Sequence, residues 1–366
     1  MASPTPIDGI LDIAPYVGGD SKAEGVARAV KLSSNESAIG PSPRAVEAYR
    51  NLAGELHRYP DGGFNTLRGT IAELHGLAPS RLICGNGSDE IISYLTHAYA
   101  GPGDEVLFSA HGFLMYPLSA MAAGARPVKA PETDYRASVD ALLGAVTDAT
   151  KIVFLANPNN PTGTYLTADE VGRLRAGLPD HVLLVLDGAY AEYVSRNDYS
   201  AGIELVDASD NVVMTRTFSK IYGLAALRLG WAYCPQAIAD VYHRVRPPFN
   251  VNAAAQAAGA AAMRDVSHTD AARTHNDIWQ PWLTAEMTRL GLFVIPSVAN
   301  FITVRFGAEG PRSAPEALAF LKRRGVLARG IAPYGLGDCV RFTIGLEDEN
   351  RAVVEAVEAF LGGADA

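Results

Sequence analysis

Cysteine is scarce in this chain. Cys84, Cys234 and Cys339 are the only three in 366 residues, far apart and with no Cys-x-x-Cys pair. That excludes a disulfide framework and reads as small buried apolar residues in a reducing compartment. The eight histidines show no His-x3-His or other metal spacing, so no metal is expected. Long apolar runs are missing as well: none reaches membrane-spanning length, and the start, Met1-Ala2-Ser3-Pro4-Thr5-Pro6, lacks a basic and then apolar signal region. A cytoplasmic location is expected. There is no lysine or arginine run and the formal net charge is -9, which argues against nucleic acid and against a membrane as partner. Small anions remain possible ligands, because local arginines can outvote the net charge.

What is present is an ordinary globular composition, 48% hydrophobic and 19% charged, long enough for two or three domains' worth of material. Short runs rich in Val, Ile and Leu recur at Arg81 to Cys84, Asp104 to Ser109, Lys151 to Ala156, Val182 to Leu186, Asn211 to Thr215 and Gly230 to Cys234, with helical stretches between them. Continuously apolar strands of this kind predict an α/β fold with a mainly parallel sheet covered by helices on both faces. Helices are expected from Pro43 to Leu56, Thr66 to His75 and Ile91 to Ala100. Another is expected around Ala271 to Leu290, broken or offset by Pro281. Composition shifts near residue 270, and the tail reads as a smaller α+β unit. The expected division is an arm over residues 1–40 that joins the smaller unit, a large domain over 41–270 and a small domain over 271–366.

Ligands of parallel sheets sit at the carboxyl ends of the strands, and polar exceptions fall there. The run Val182 to Leu186 ends in Asp187, followed by Gly188-Ala189-Tyr190. The run ending at Ala156 enters the rigid turn Asn157-Pro158-Asn159-Asn160-Pro161-Thr162-Gly163, before a helix with the capping-box pattern Thr167-x-x-Glu170. Gly85-Asn86-Gly87-Ser88-Asp89-Glu90 lies between a strand and a helix, where free backbone N–H groups and a helix dipole can hold an anion. The same residues also make an ordinary helix start with Ser88 as N-cap, and Asp187 can simply cap a turn. Glu90 in the third position argues against a dinucleotide fingerprint. Thr217-Phe218-Ser219-Lys220 follows another strand, with Gly223, Ala225 and Ala226 leaving room for a flat ring and Arg228 beyond them. A lysine in a partly apolar setting has its amine pKa lowered and can form a Schiff base. An aldehyde, a flat ring and a phosphate together describe pyridoxal 5'-phosphate (PLP).

Taken in order, these motifs together with Arg341 resemble the fold-type I, PLP-dependent aminotransferases of classes I and II. Within that family the chain is most similar to the histidinol-phosphate aminotransferases. The narrower likeness rests on Leu32-Ser33-Ser34-Asn35-Glu36, Arg58-Tyr59-Pro60-Asp61, Arg216 to Lys220, Pro248 to Asn252 and the stretch from Gly325 to Gly345. The resemblance implies that Lys220, Asp187 and Tyr190 are catalytic: Lys220 as the Schiff-base lysine, Asp187 on the pyridine nitrogen, Tyr190 with Asn160 on the ring oxygen. It implies that Phe113 stacks on the ring, that Gly87, Ser88, Asp89, Ser219 and Arg228 hold the phosphate, and that Thr217 also binds the cofactor. Tyr59 would reach that phosphate from the neighbouring subunit of a homodimer. Arg341 would bind the substrate's carboxylate, with Asn160 beside it, and Arg329 with Tyr16 the far end of the side chain.

The implied reaction is amino transfer between L-histidinol phosphate and 2-oxoglutarate, yielding imidazole-acetol phosphate and L-glutamate, in histidine biosynthesis. An aromatic aminotransferase and a PLP-dependent decarboxylase of a phosphorylated amino acid are the alternatives. Departures from the family pattern are Ser37, Gly188, Gly330 and His111-Gly112-Phe113-Leu114. Gly330 stands beside Arg329, which bears on substrate identity.

Overall fold

A computed structural model describes residues 4–6, 9–15, 18–20 and 29–363. Its centre is a seven-stranded sheet of β1 (Leu82–Gly85), β2 (Glu105–Ser109), β3 (Arg126–Ala130), β4 (Thr150–Ala156), β5 (Leu183–Asp187), β6 (Val212–Thr217) and β7 (Gly230–Tyr233). The spatial order is β1-β7-β6-β5-β4-β2-β3. All neighbours are parallel except β7, which runs antiparallel to both β1 and β6. The apolar runs form these strands because both faces of the sheet are covered. In β5, Leu184 and Leu186 enter one core while Leu183 and Val185 enter the other, and β4 divides in the same way. One face carries the helices Pro43–Asn51, Asn65–His75 and Ala253–Arg264, and the other carries Ser88–Tyr99, Met115–Ala122 and Gln236–Val245.

Three differences from the sequence reading have local causes. β3 was not among the expected strands: it is an edge strand in which only Ala130 is buried, so it never needed an apolar run. β7 reverses direction because the chain between Thr217 and Gly230 holds only a 3-10 turn at Ala225–Leu227, and a parallel return needs a longer crossover. The first helix ends at Asn51, ahead of Gly54, rather than at Leu56.

The C-terminal part builds an antiparallel four-stranded sheet in the order Phe293–Ile295, Phe301–Arg305, Leu336–Thr343, Arg329–Ile331. Helices Val266–Arg289, Ala314–Arg323 and Glu347–Leu361 accompany it, around a core that includes Ile302, Val340, Phe342, Leu321 and Val353. Val266–Arg289 is continuous through Pro281, where a break or offset was expected, and residue 270 lies in its first turns. Val30–Lys31 pairs in parallel with Val326–Leu327, and Leu32 joins the same core. In the register of this sheet Arg329 stands directly opposite Arg341. Among the described residues no helix is long and apolar enough to cross a membrane.

Candidate active site

β4, β5 and β6 are parallel, so their carboxyl ends open on one edge, and a cleft lies there. Asp187, the last residue of β5, is 4% exposed. Its carboxylate accepts from Tyr116 Oη at 2.8 Å and from Thr215 Oγ1 at 3.2 Å. Burial pushes its pKa up to about 6. The Tyr116 bond opposes that rise, Asp89 adds to it, and the Thr215 bond opposes it. The site therefore holds a carboxylate that gains by meeting a cation.

Lys220 lies just beyond β6. Its Nζ donates to the Ser34 carbonyl at 3.1 Å and stands 5.7 Å from the centre of the Tyr190 ring. Burial, and then the positive charge of Arg341, lower its pKa to about 8 against the pull of Asp89 and Glu36. A larger fraction of the amine is thus uncharged at neutral pH than for a free lysine. Tyr190 is buried, and its Oη accepts from Asn35 Nδ2 at 2.9 Å.

At the other end of the cleft the expected N-cap at Ser88 is corrected. Gly87 is the cap, at φ 80°, and Ser88 is the first helical residue, with no side-chain cap bond at this helix start. The helix start is thus left without a side-chain cap, and its first two residues, Ser88 and Asp89, line the cleft. Arg228 is held there in a left-handed conformation at φ 52°. Its guanidinium donates to Ser219 Oγ at 3.2 Å, to the Ala225 carbonyl at 3.1 Å and to Asp89 Oδ2 at 3.1 Å. Two close approaches shape this cradle: a Cβ at Gly87 would lie 2.6 Å from Arg228 Nη2, and one at Gly230 would lie 2.3 Å from the Ser88 nitrogen. Thr217 Oγ1 accepts from the Ser219 N–H at 3.1 Å and fixes the turn.

The remaining wall comes from the C-terminal sheet. Arg341 is buried, donates to the Ser33 carbonyl at 3.0 Å and to Asn160 Oδ1, and lies over Phe301 with its guanidinium carbon 5.3 Å from the ring centre. Arg329 lines the same cleft, and its position opposite Arg341 puts both side chains on one face of their sheet. Phe113 also lines the cleft, edge-on to Tyr116 at 5.8 Å. Tyr59 does not: it is 83% exposed and stacks on Phe249 at 4.8 Å. Tyr16 lies outside the described residues. Sequence reading missed Tyr116 and Thr215, whose hydroxyls only the folded sheet brings to Asp187. It also quoted Ser33, Ser34 and Asn35 as a motif without giving them a role in the site.

The residues present fit PLP. The cradle suits a dianion, the buried Asp187 suits a protonated ring nitrogen, and Lys220 suits an aldehyde. Two outcomes follow. A carboxyl whose folded pKa is raised binds its proton more tightly in the native state, so it lowers the stability of the cofactor-free protein as pH rises from about 4 to about 6. Asp187→Asn should remove that part of the pH dependence and stabilise the cofactor-free protein at pH 7 by about 2 to 3 kcal/mol, read from urea unfolding of both proteins across this range. Gly230→Ala should weaken cofactor binding at least about tenfold by crowding the cradle, read by equilibrium dialysis.

The class I and II aminotransferase family matches residues 27–357. The chain is 60% identical, over 99% of its length and 100% of the relative's, to a histidinol-phosphate aminotransferase of Paramagnetospirillum magneticum. It is 57% identical, over 99% and 100%, to one of Rhodospirillum centenum. Among solved structures, histidinol-phosphate aminotransferase from Sinorhizobium meliloti in complex with pyridoxal-5'-phosphate superimposes with a TM-score of 0.90 at 27% identity, covering 99% of each chain. Sequence, fold and cleft agree, and the chain belongs to the class I and II aminotransferases.

Proposed function

We propose that the protein is a cytoplasmic PLP-dependent aminotransferase that exchanges an amino group between L-histidinol phosphate and 2-oxoglutarate in histidine biosynthesis. The observation that carries this reading is the pair Arg329 and Arg341, set opposite each other on neighbouring strands and lining the same cleft as Lys220. Two guanidiniums side by side suit a phosphate monoester, and equally the carboxylates of glutamate, which must use the same cleft in the other half of the reaction. We therefore assign both arginines to the anionic end of the substrate, instead of one to each end. Gly330 does not disturb this: a Cβ there would meet Leu318 Cδ1 at 2.9 Å, so the glycine serves packing against the helix Ala314–Arg323. Among the described residues no feature of the cleft favours the aromatic or the decarboxylase alternative.

When bound, PLP supplies an electron sink for the charge left on the substrate carbon as its proton departs. Everything else falls to the chain. Asp187 would hold the ring nitrogen protonated, and Asn160 and Tyr190 would hold the ring oxygen. Phe113 would cover one face, while Gly87, Ser88, Asp89, Thr217, Ser219 and Arg228 would fix the phosphate. Lys220 would anchor the aldehyde and, once displaced by the substrate's amine, carry the proton on its Nζ away from the substrate carbon and back. We place the division of labour at residues 41–270 for the cofactor, and at the arm together with 271–366 for the substrate arginines.

The exposed apolar residues Leu56, Tyr59 and Phe249 lie on or beside one surface loop pair. A second copy of the chain is the proposed cover, with Tyr59 reaching the partner's phosphate cradle. Sedimentation equilibrium should give a dimer, and Tyr59→Phe should weaken cofactor binding about tenfold to a hundredfold, the size of one hydrogen bond to a charged group; a monomer with full cofactor affinity would refute this arrangement.

Glutamate formation from 2-oxoglutarate tests the reaction itself. Histidinol phosphate should be preferred over phenylalanine by roughly 100-fold or more in kcat/KM, and Lys220→Ala should cost at least about 1,000-fold. Equal use of phenylalanine would overturn the assignment of the two arginines to a phosphate.

A further inference from the structure

One half-buried histidine that this mechanism leaves unused stands where three walls of the cleft meet. His111 follows β2 and is fastened at three points. Its N–H donates to Glu132 Oε1 at 3.1 Å, its carbonyl accepts from Asn159 Nδ2 at 3.3 Å, and its ring Nδ1 lies 2.7 Å from the carbonyl oxygen of Tyr334. A carbonyl can only accept, so Nδ1 carries the proton. Each partner leads to a different part of the cleft. Phe113 comes two residues after His111, and Asn159 immediately precedes Asn160. Tyr334 lies in the connection between the strands that bear Arg329 and Arg341, and itself lines the cleft.

The junction is tightly built. A Cβ at Gly112 would come 3.0 Å from the Ser109 carbonyl oxygen, so a side chain between His111 and Phe113 would be crowded. Gly335, at φ 83°, brings its backbone against the imidazole, where an added Cβ would lie 3.5 Å from His111 Cε1. Beside the ring, Ile331, Tyr334, Leu336 and Cys339 form a small apolar cluster onto which Leu114 and Tyr135 pack. Apolar contact brings the two surfaces together without specifying their register; a single directional bond does specify it.

We propose that His111 is a positioning residue: its Nδ1–H bond to the Tyr334 carbonyl sets the arginine-bearing hairpin against Phe113 and Asn160, and so sets the affinity for the anionic end of the amino substrate. This inference rests on the reading of Arg329 and Arg341 given above. His111 does not line the cleft, so its loss acts on substrate binding and leaves the chemical step alone.

The test uses the PLP-loaded enzyme and the isotope exchange between glutamate and 2-oxoglutarate, which requires no phosphorylated substrate. The variants are His111→Asn, His111→Gln and His111→Ala. The Asn amide nitrogen takes the place of Nδ1, whereas that of Gln sits one bond further out. KM for glutamate should rise about fivefold to tenfold in the Ala and Gln variants with kcat within about twofold, and the Asn variant should stay within about twofold of the parent. Asn and Gln variants that behave alike, whether both normal or both impaired, would overturn the proposal, as would a change confined to kcat. If thermal melting shows that the Ala variant does not fold, the Asn and Gln comparison decides alone. A parent enzyme that exchanges glutamate but ignores histidinol phosphate sinks the substrate assignment and leaves the His111 result readable.

Discussion

Asp187 stands at the end of a strand whose four preceding residues are all buried, and around its carboxylate two hydroxyls, from Tyr116 and Thr215, take the place of water. These neutral donors, with the Ala189 N–H, do not repay the loss of hydration for a full charge, and with Asp89 adding its repulsion the pKa rises to about 6. Much of the surrounding architecture follows from holding this group in place. Tyr116 is itself fully buried and stacked on Phe154 at 4.6 Å, so its hydroxyl cannot swing away. Lys220 carries the mirror-image cost, an amine whose charge is disfavoured by burial and by Arg341. Each group destabilises the empty fold, and both are relieved by a ligand that brings a ring cation to one and an aldehyde to the other.

The sheet was legible because its signal is redundant. Strands covered on both faces spell continuous apolar runs, and six of the seven did so. β3 escaped notice since an edge strand is free to read Arg126-Pro127-Val128-Lys129. The reversal of β7 was hidden because strand direction depends on the length and shape of the connection, which no single residue announces. Within the site, Asp187 and Lys220 could be named from their place at strand ends. Tyr116, 71 residues from Asp187 in sequence, could not, since the bond between them exists only once the helix Met115–Ala122 is laid on the sheet. The positions of Arg329 and Arg341 were legible, and their adjacency was not: it is a property of register.

The departures from the family pattern also find physical settings. Gly188 replaces a common glutamate, and a side chain there would press on the Thr215 carbonyl at 3.2 Å and on Arg216 Cδ at 3.3 Å. Arg216 is neutralised instead by Glu192, at 2.8 Å in a pair almost fully shielded from water. A buried guanidinium needs a carboxylate, and it can take it from whichever turn supplies one.

The segment after Leu32 ties the two ends of the chain to one another at the reacting centre. Ser33 and Ser34 present their carbonyls to Arg341 and Lys220, Asn35 grips Tyr190, and the Asn35 N–H is held by Thr343 Oγ1, 308 residues away. On a ribosome this wall of the cleft cannot close until the last strand has left the exit tunnel. The large sheet has all of its strands well before then, so the nascent chain passes through a stage with its cofactor lysine already placed and its substrate wall still missing.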